Sequence, residues 1–329
     1  MNKTTIIAEV GINHNGNFST AKKYIRECKK INVDIVKFQI AIPQNVVIKS
    51  AKKAKYQKLN QKDNQSQLDM IKKLHLRVDE YLKLVEYANK KKIEIMFSAF
   101  DIESLQIILK LKSIKTIKIP SGEITNKPYL QIISKSKKNV ILSTGMSNLK
   151  EIKTAIRLLD NNKISILHCS TSYPTKYKDV NLRVIDTFKE NFNLPVGYSD
   201  HTIGFEVPIA AVARGATIIE KHITFNRRHK GPDHKASMNF EDFSNLIKYI
   251  RNIEKSMGSR EKKISKSELS NKTIVRKSIF AKKDIKKGEL FSWSNLCIKR
   301  PGNGVSPMLI DEYLGKKSKF NYKTDDKIK

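Results

Sequence analysis

Residues 197–222, GYSDHTIGFEVPIAAVARGATIIEKH, contain two histidines that each follow a short apolar run. A segment of helical character, Glu206–Arg214, separates His201 from His222. Because parallel strands are joined by crossovers of this kind, both imidazoles are expected at one sheet edge, where neighbouring strands lie ~4.8 Å apart. Histidine is the commonest protein ligand of metals, so the pattern indicates a divalent metal site. A hydrogen-bonded structural role for either histidine stays open from this stretch alone.

The same alternation of a short apolar run and a helical segment extends through most of the chain. Eight runs have the composition of strands, namely Thr5–Glu9, Asp34–Gln39, Glu94–Ser98, Thr116–Ile119, Val140–Thr144, Ser165–Cys169, Pro195–Ser199 and Thr217–His222. The clearest helical patterns are Ala21–Ile31, Asp79–Lys91, Ile102–Lys112, Leu149–Leu159, Val180–Glu190 and Glu206–Arg214, with Phe240–Met257 as a closing helix.

Eight such units predict an α/β fold of the (β/α)8, or TIM, barrel type. A doubly wound open sheet is the alternative. That fold usually carries a G-x-G-x-x-G turn after its first strand, and residues 9–13, EVGIN, do not match it.

Two parts of the chain depart from this alternation. Residues 40–77 form a long, polar, lysine-rich segment after the second strand, which predicts a loop that covers the substrate. Residues 259–272 are charged and poor in apolar side chains, as in a linker. We therefore expect a catalytic barrel over residues 1–258, a linker over 259–272 and a small β-rich domain over 273–329. A domain of about 55 residues is marginally stable alone, so it is expected to lean on a barrel.

The composition argues against several classes of protein. The 64 Lys and Arg residues exceed the 32 Asp and Glu residues, giving a formal charge of +32, but the lysines are spread over helices and loops without a nucleic-acid motif. No apolar run approaches the ~20 residues of a membrane helix, and residues 1–10, MNKTTIIAEV, lack the apolar core of a signal peptide. Three scattered cysteines do not indicate a disulfide framework. We expect a cytoplasmic protein with neither nucleic acid nor a membrane as partner.

Polar side chains cluster where the predicted strands end, which is where barrel enzymes carry their active sites. Lysines, serines and glycine-flanked amides favour a phosphate or carboxylate pocket, and a metal held by two histidines would polarise a carbonyl group. Glutamates can order a water or move a proton. Taken singly, each residue also has a structural explanation, since strand-end lysines reach solvent and Ser-Gly pairs are common in turns. The strand-end residues are Glu9, Lys37, Gln39, Ser98, Lys118, Ser121, Gly122, Glu123, Ser143, His168, Tyr173, Ser199, Asp200, His201, Lys221 and His222, with Asp233 in the loop beyond.

Together these residue types indicate a small phosphorylated anion and a carbonyl compound as substrates.

Eight motifs then give the chain a family resemblance. They are IIAEVGINHNG (6–16), VDIVKFQ (33–39), IKIPSGEITN (117–126), ILSTGM (141–146), LHCSTSYPT (167–175), GYSDHTIG (197–204), IIEKHIT (218–224) and GPDHKAS (231–237). In this order they resemble the sialic acid, or nonulosonic acid, synthases. Residues 279–307, IFAKKDIKKGELFSWSNLCIKRPGNGVSP, resemble the C-terminal antifreeze-like (SAF) domain of that family.

The resemblance implies a (β/α)8 barrel joined to the antifreeze-like domain, in a domain-swapped homodimer. It also implies a reaction in which phosphoenolpyruvate condenses with an N-acyl hexosamine, typically N-acetylmannosamine. The products would be a nine-carbon 2-keto sugar acid and phosphate. The implied cofactor is a divalent metal held by His201 and His222, Mn2+ in the first place and otherwise Mg2+ or Co2+.

Position by position, the resemblance implies further contacts. The sugar would contact Gln39, Glu123, Tyr173 and Asp233, and Arg300 would reach the N-acyl group from the other subunit. Glu123 would assist proton movement. Phosphoenolpyruvate would be held by Glu9, Lys37, Ser98, Lys118, Ser121, Gly122, Ser143 and Ser199.

The chain departs from the family pattern in two places. Ser98 in FSAFD stands where the family more often has threonine, which keeps the hydroxyl group. Thr171-Ser172 replaces a stretch that commonly contains asparagine, which puts one phosphoenolpyruvate contact in question. The GPDHKAS stretch favours the neuraminic and legionaminic branches over the pseudaminic branch.

The sequence therefore predicts an N-acetylneuraminate-type synthase. A legionaminic acid synthase that uses 2,4-diacetamido-2,4,6-trideoxymannose is the alternative. A metal aldolase and a non-catalytic basic binding protein are more remote alternatives.

Overall fold

A computed structural model of the chain describes residues 3–53, 57 and 66–329. The chain divides into two compact units, Met1–Gly258 and Ser259–Lys329. Within the described residues, no helix is long and apolar enough to cross a membrane.

Eight parallel strands build the first unit. They are Thr5–Gly11 (β1), Ile35–Ile40 (β2), Glu94–Ala99 (β3), Thr116–Ile119 (β4), Asn139–Ser143 (β5), Ile164–Cys169 (β6), Val196–Asp200 (β7) and Ile218–Thr224 (β8). Each strand pairs with the next in chain order, and β1 also pairs with β8, so the sheet closes on itself. The predicted (β/α)8 barrel is confirmed. A short strand, Met238–Asn239 (β9), pairs in parallel with the end of β8.

Helices connect these strands. They are Phe18–Lys30 (α1), Pro43–Val46 (α2), Gln67–Leu74 (α3), Val78–Lys90 (α4), Ile102–Lys110 (α5), Lys127–Lys135 (α6), Leu149–Leu158 (α7), Val184–Asn191 (α8), Glu206–Ala213 (α9) and Phe240–Ser256 (α10). Side chains of Asn17, Asp101 and Asn148 accept hydrogen bonds from backbone N–H groups in the first turns of α1, α5 and α7, which stabilises those helix starts. The helical pattern over residues 180–190 begins as a helix only at Val184.

The alternation of side chains along each strand sorts the barrel into two layers. Residues that face outward pack against the helices in the main apolar core. Six inward-facing side chains fill the lower part of the barrel: Ile7, Ile35, Met96, Ile141, Leu167 and Ile218. Two residues further along the same strands, the inward positions are Glu9, Lys37, Ser98, Ser143, Cys169 and Glu220. The barrel is thus an apolar core at one end and a polar site at the other.

Helices α2 and α3 occupy part of the segment that was predicted to be a substrate-covering loop. Residues 54–56 and 58–65 of that segment lie outside the described part of the chain. The Ser66 side chain accepts a hydrogen bond from the backbone N–H of Asp69 and so caps α3. The segment therefore contains regular helices, where the sequence had predicted a loop.

Helix α3 docks on the loop that follows β1. Met70, Ile71 and Leu74 of α3 form an apolar cluster with Ile12. In the same loop, Gly16 has a φ of +69°, and a Cβ at this position would lie 2.5 Å from the carbonyl oxygen of Lys73. Only glycine fits such a close approach with a left-handed backbone.

The second unit has its own small core. Helix Lys266–Val275 (α11) precedes two antiparallel strands, Ser278–Ala281 (β10) and Leu296–Lys299 (β11). The predicted linker over 259–272 overlaps most of α11, whose start is stabilised by a capping box between Ser265 and Glu268. The buried core of this unit is Ile279, Ala281, Ile285, Phe291, Leu296, Tyr322 and Ile328.

Candidate active site

A cavity of about 260 Å³ lies at the carboxyl ends of the barrel strands. Its described lining brings together most of the residues that the sequence singled out, along with residues of α3. The predicted residues that line it are Glu9, Lys37, Gln39, Ser98, Lys118, Ser121, Gly122, Ser143, Tyr173, Ser199, His201, His222 and Asp233. Their proximity is a property of the fold, and their individual roles stay predictions.

Lys37 and Lys118 are the lysines that line the described cavity, and both side chains are almost fully buried. The Lys37 Nζ donates a hydrogen bond to Ser98 Oγ at 3.0 Å, and the Lys118 Nζ donates to Ser143 Oγ at 2.6 Å. Burial lowers the pKa of Lys118. Burial acts in the same direction on Lys37, but nearby carboxylates outweigh it and raise the Lys37 pKa. Two buried ammonium groups beside hydroxyl groups suit a small polyanion.

Glu220 lies between these lysines and was not among the predicted site residues. Its Oε1 lies 3.6 Å from each Nζ atom and accepts a hydrogen bond from Ser199 Oγ at 3.2 Å. Burial would raise the pKa of Glu220, but the charges of Lys118 and Lys37 outweigh burial and hold that pKa below its usual value. Residues two apart on a strand share a face, so His222 already implied that Glu220 faces the cavity.

Two further carboxyl groups, Glu9 and Asp233, line the cavity. Glu9 lies 2.9 Å from the Lys37 Nζ and accepts a hydrogen bond from Gln39 Nε2 at 3.1 Å. Burial raises the pKa of Glu9, although Lys37 opposes that shift. Burial, helped by the charge of Glu9, raises the pKa of Asp233 to about 7. A carboxyl group with a pKa near neutrality can both accept and release a proton.

His201 and His222 lie side by side at the ends of β7 and β8, with ring centroids 5.5 Å apart. The Tyr173 ring centroid lies 4.1 Å from that of His201 and 5.8 Å from that of His222. Burial lowers the pKa of His201 to about 4 and also lowers the pKa of His222, with the His201 charge adding to the effect. Both imidazoles are therefore neutral near pH 7, which is the form that binds metals.

The donor atoms of these histidines fit a divalent metal ion. The His201 Nδ1 donates to the carbonyl oxygen of Ser170, which leaves the lone pair on Nε2, as is typical of metal-binding histidines. The His222 Nδ1 is buried and has no hydrogen-bond partner among the described residues. Across that part of the chain no group of three His, Cys, Asp or Glu side chains is placed to hold a metal. Water or substrate oxygens would therefore complete the coordination of a bound ion.

Asp200 and Lys221 were expected among the strand-end groups of the site, but they do not line the described cavity. The alternation of β7 and β8 turns both side chains away from the barrel axis, where they form a buried ion pair. The Lys221 Nζ also donates to the Thr202 carbonyl oxygen at 2.7 Å, and the Thr202 N–H donates to Asp200 Oδ1 at 3.0 Å. The pair joins the ends of the two strands that carry the histidines.

Two other predicted residues, His168 and Glu123, do not line the described cavity. The His168 Nε2 is 2.7 Å from the Val180 carbonyl oxygen, so this histidine is structural. Glu123 ends a short 3-10 turn, where its carboxylate accepts a hydrogen bond from Asn126 Nδ2 at 2.6 Å. Arg300 is exposed and belongs to the second unit. The proton-moving role of Glu123 and the sugar contact of Arg300 stay predictions.

The closed barrel, with buried lysines and a pair of histidines at its strand ends, is the architecture of a barrel enzyme. The profile of the NeuB family matches residues 24–262, and the profile of the SAF domain matches residues 276–326. The chain therefore belongs to the NeuB family and carries a C-terminal SAF domain.

Named relatives resemble the chain over most or all of its length. The N,N'-diacetyllegionaminic acid synthase of Campylobacter jejuni is 48% identical and covers 100% of both chains. The N,N'-diacetyllegionaminic acid synthase of Legionella pneumophila is 43% identical and covers 96% of this chain and 90% of its own. The crystal structure of N-acetylneuraminic acid synthetase from Leptospira borgpetersenii, in complex with citrate, matches with a TM-score of 0.72. It is 31% identical and covers 82% of this chain and 90% of its own.

Proposed function

We propose that this chain is a phosphoenolpyruvate-dependent nonulosonic acid synthase that uses 2,4-diacetamido-2,4,6-trideoxymannose and forms N,N'-diacetyllegionaminic acid. The choice of sugar is supported by the identity of 48% and 43% with two legionaminic acid synthases, against 31% with the N-acetylneuraminic acid synthetase. This reverses the order of the two sugars predicted from the sequence, where N-acetylmannosamine came first.

The pair of buried lysines is the observation that carries the proposal. Phosphoenolpyruvate has a carboxylate and a phosphate on one small carbon skeleton, and the cavity offers two ammonium groups, each beside a serine hydroxyl. Without a bound anion, Glu220 and Glu9 partly balance the two lysine charges.

The reaction joins C3 of the enol ester to the aldehyde carbon of the open-chain sugar. Water adds at C2, and the C2–O bond to phosphate breaks with its electron pair leaving on the phosphate oxygen. The former aldehyde oxygen gains a proton, and the attacking water loses two: one as it adds at C2, and the other to the departing phosphate as C2=O forms. Asp233, whose pKa is about 7, gives its proton to the sugar oxygen, and ionised Glu9 takes the proton from water.

His201 and His222 are the residues that would hold the metal, Mn2+ in the first place, and the bound ion supplies Lewis-acid polarisation of the aldehyde. Both rings pack against the ring of Tyr173. The domain-swapped homodimer and the cytoplasmic location stay predictions.

Phosphate release tests the proposal directly. The purified protein with Mn2+ is expected to release phosphate from phosphoenolpyruvate only when the sugar is added, and chelation of the metal should stop the release. Pyruvate in place of phosphoenolpyruvate should give no product, whereas an aldolase would accept it. If none of the N-acylated mannose-type sugars supports phosphate release, the proposal is refuted.

A lysine substitution tests the anion pocket itself. Lys118→Met removes one charged hydrogen bond, worth ~1.5–3 kcal/mol, and should raise the KM for phosphoenolpyruvate by ~10–100-fold. Lys115→Met, at an exposed position just before β4, is the matched control and should leave that KM unchanged. An unchanged KM in the Lys118 variant would remove this residue from the anion pocket.

A further inference from the structure

The cavity has two chemically different sides. The strand ends contribute ammonium, hydroxyl and carboxyl groups, whereas α3 contributes the apolar side chains of Met70 and Ile71 beside the amide of Gln67. These two side chains pack with Ile12 and Val46, which also line the cavity. Met70 is 3% exposed and Ile71 is 8% exposed. The four side chains form one apolar surface, which we call the α3 wall.

The α3 wall lies beside the end of β1. Glu9 is the register partner of His222 on one side and of Lys37 on the other, and Ile12 follows Glu9 by three residues before it packs against α3. With phosphoenolpyruvate at the lysines and the sugar aldehyde at the histidines, the far end of the sugar chain would meet the α3 wall, which lines the same cavity.

The two candidate sugars differ at that far end. N-acetylmannosamine has hydroxyl groups at C4 and C6, whereas 2,4-diacetamido-2,4,6-trideoxymannose has an acetamido group at C4 and a methyl group at C6. A hydroxyl group pressed against apolar side chains loses its hydrogen bonds to water, but a methyl group there is favourably buried. Gln67, which also lies on α3 and lines the cavity, offers an amide that can pair with the acetamido group.

We propose that Met70 and Ile71 of the α3 wall are the residues that select the 4-acetamido-6-deoxy sugar over N-acetylmannosamine; this specificity rests on the proposed function. The wall acts on the non-reacting end of the sugar. Substitutions there should change the preference between sugars without changing the KM for phosphoenolpyruvate.

Isosteric pairs of variants test the wall. Met70→Gln adds polarity at nearly constant shape, and Ile71→Thr matches the shape of Ile71→Val with a hydroxyl group in place of one methyl group. Met70→Leu and Ile71→Val keep the same positions apolar. Leu74→Gln is the matched control, because Leu74 belongs to the same apolar cluster but does not line the described cavity. The measurement is kcat/KM by phosphate release for each of the two sugars.

The ratio of the two kcat/KM values should favour the diacetamido sugar in the wild-type protein. It should fall ~10-fold or more in Met70→Gln and Ile71→Thr, a change typical of one altered group in an apolar pocket. In Met70→Leu, Ile71→Val and Leu74→Gln, the ratio should stay within ~3-fold of the wild-type value. Equal ratios in the polar and apolar variants, or an equal fall in Leu74→Gln, would overturn the role of the wall.

The failure of the proposed function has a different signature. If the wild-type protein releases phosphate with neither sugar, the proposed function itself fails. If the wild-type protein prefers N-acetylmannosamine, both the choice of sugar and the selection by the wall are wrong. If the wild-type protein prefers the diacetamido sugar and the ratio is insensitive to Met70 and Ile71, only the wall is wrong.

Discussion

At the scale of single residues, Asp233 offers a test through pH. Its pKa rises from the ordinary value of 3.8 to about 7, because of burial and then the charge of Glu9. The folded state therefore holds this proton more tightly than the unfolded state. The stability of the wild-type protein relative to Asp233→Asn should be greatest below pH ~4 and fall as the pH rises to ~7, by at most about 4 kcal/mol.

Urea unfolding of both proteins between pH 5 and pH 8 would measure this difference. Above pH ~7 the difference between the two proteins should level off, because the group is then ionised in both states. A difference that does not vary with pH would show that Asp233 is not buried with a raised pKa.

Much of the candidate site could be predicted residue by residue, because parallel barrel strands place their carboxyl ends together. Side chains two residues apart on a strand share a face, so the position of His222 also predicts that Glu220 faces the cavity. By the same alternation, Lys221 and Asp200 are predicted to face away from it. Glu123 could not be placed in this way. It ends the 3-10 turn Ser121–Glu123, and the direction of a side chain in such a turn depends on dihedral angles that no periodicity records.

At the scale of elements, the Asp200–Lys221 pair joins β7 to β8. Both residues are buried, so Lys221→Met would leave an unpaired buried carboxylate and should cost ~3–5 kcal/mol of unfolding free energy. The double variant Asp200→Asn with Lys221→Met removes both charges and should recover most of that loss. Urea unfolding measures both effects.

The control is the exposed ion pair of Asp79 and Lys83, in which the Lys83 Nζ lies 3.2 Å from Asp79 Oδ2. Lys83→Met should change the unfolding free energy little, because water already screens that pair. Equal losses in the single and double variants at 200 and 221 would mean that lost packing, rather than the unpaired charge, sets the cost.

Docking of α3 depends on Gly16. Gly16→Ala would bring a Cβ within 2.5 Å of the Lys73 carbonyl oxygen, and such overpacking should weaken the docking of α3 by about 1–3 kcal/mol. Gly258→Ala is the matched control, because Gly258 also has a positive φ, of +53°, but its Cβ would meet no described atom within 4 Å.

Amide hydrogen exchange reports on this effect helix by helix. Exchange in Gln67–Leu74 should become faster in Gly16→Ala than in Gly258→Ala. If the exchange rates in the two variants are indistinguishable, the docking of α3 does not depend on the absence of a side chain at Gly16.

Strands were easier to predict than helices in this chain. Buried parallel strands are short, continuous apolar runs, and each of the eight is visible in the sequence. Helix α6 was not predicted, although Asn126 caps it and a proline lies in its first turn. Helices α2 and α3 were hidden because a polar, lysine-rich segment is typical of loops, and the few apolar residues of α3 gain stability from contact with Ile12, which lies far away in sequence.

At the scale of the whole molecule, the predicted domain swap can be tested by mixing two inactive variants. His222→Ala should disable the barrel, and Arg300→Ala should disable the contact expected from the small domain. In a swapped heterodimer, the barrel with intact His222 receives the intact Arg300 of the other subunit. Random exchange of subunits should then restore about a quarter of the wild-type sites.

The readout is phosphate release after the two variants are mixed and allowed to exchange. The sugar concentration is kept far below saturation, because Arg300→Ala is expected to weaken sugar binding by ~1–3 kcal/mol. Each variant incubated alone is the control and should show little activity under these conditions. If the mixture stays inactive while light scattering and subunit labelling show that heterodimers form, Arg300 serves its own barrel or none.

The six apolar side chains in the lower barrel, such as Ile7 and Ile218, fill the barrel below the cavity. We expect a sugar bound at His201 and His222 to cover phosphoenolpyruvate at the lysines. We therefore expect compulsory-order kinetics, in which phosphoenolpyruvate arrives first. An unreactive sugar analogue should inhibit uncompetitively against phosphoenolpyruvate in initial-rate measurements, whereas mixed inhibition would indicate random arrival. By the same route, phosphate should be the last compound to leave.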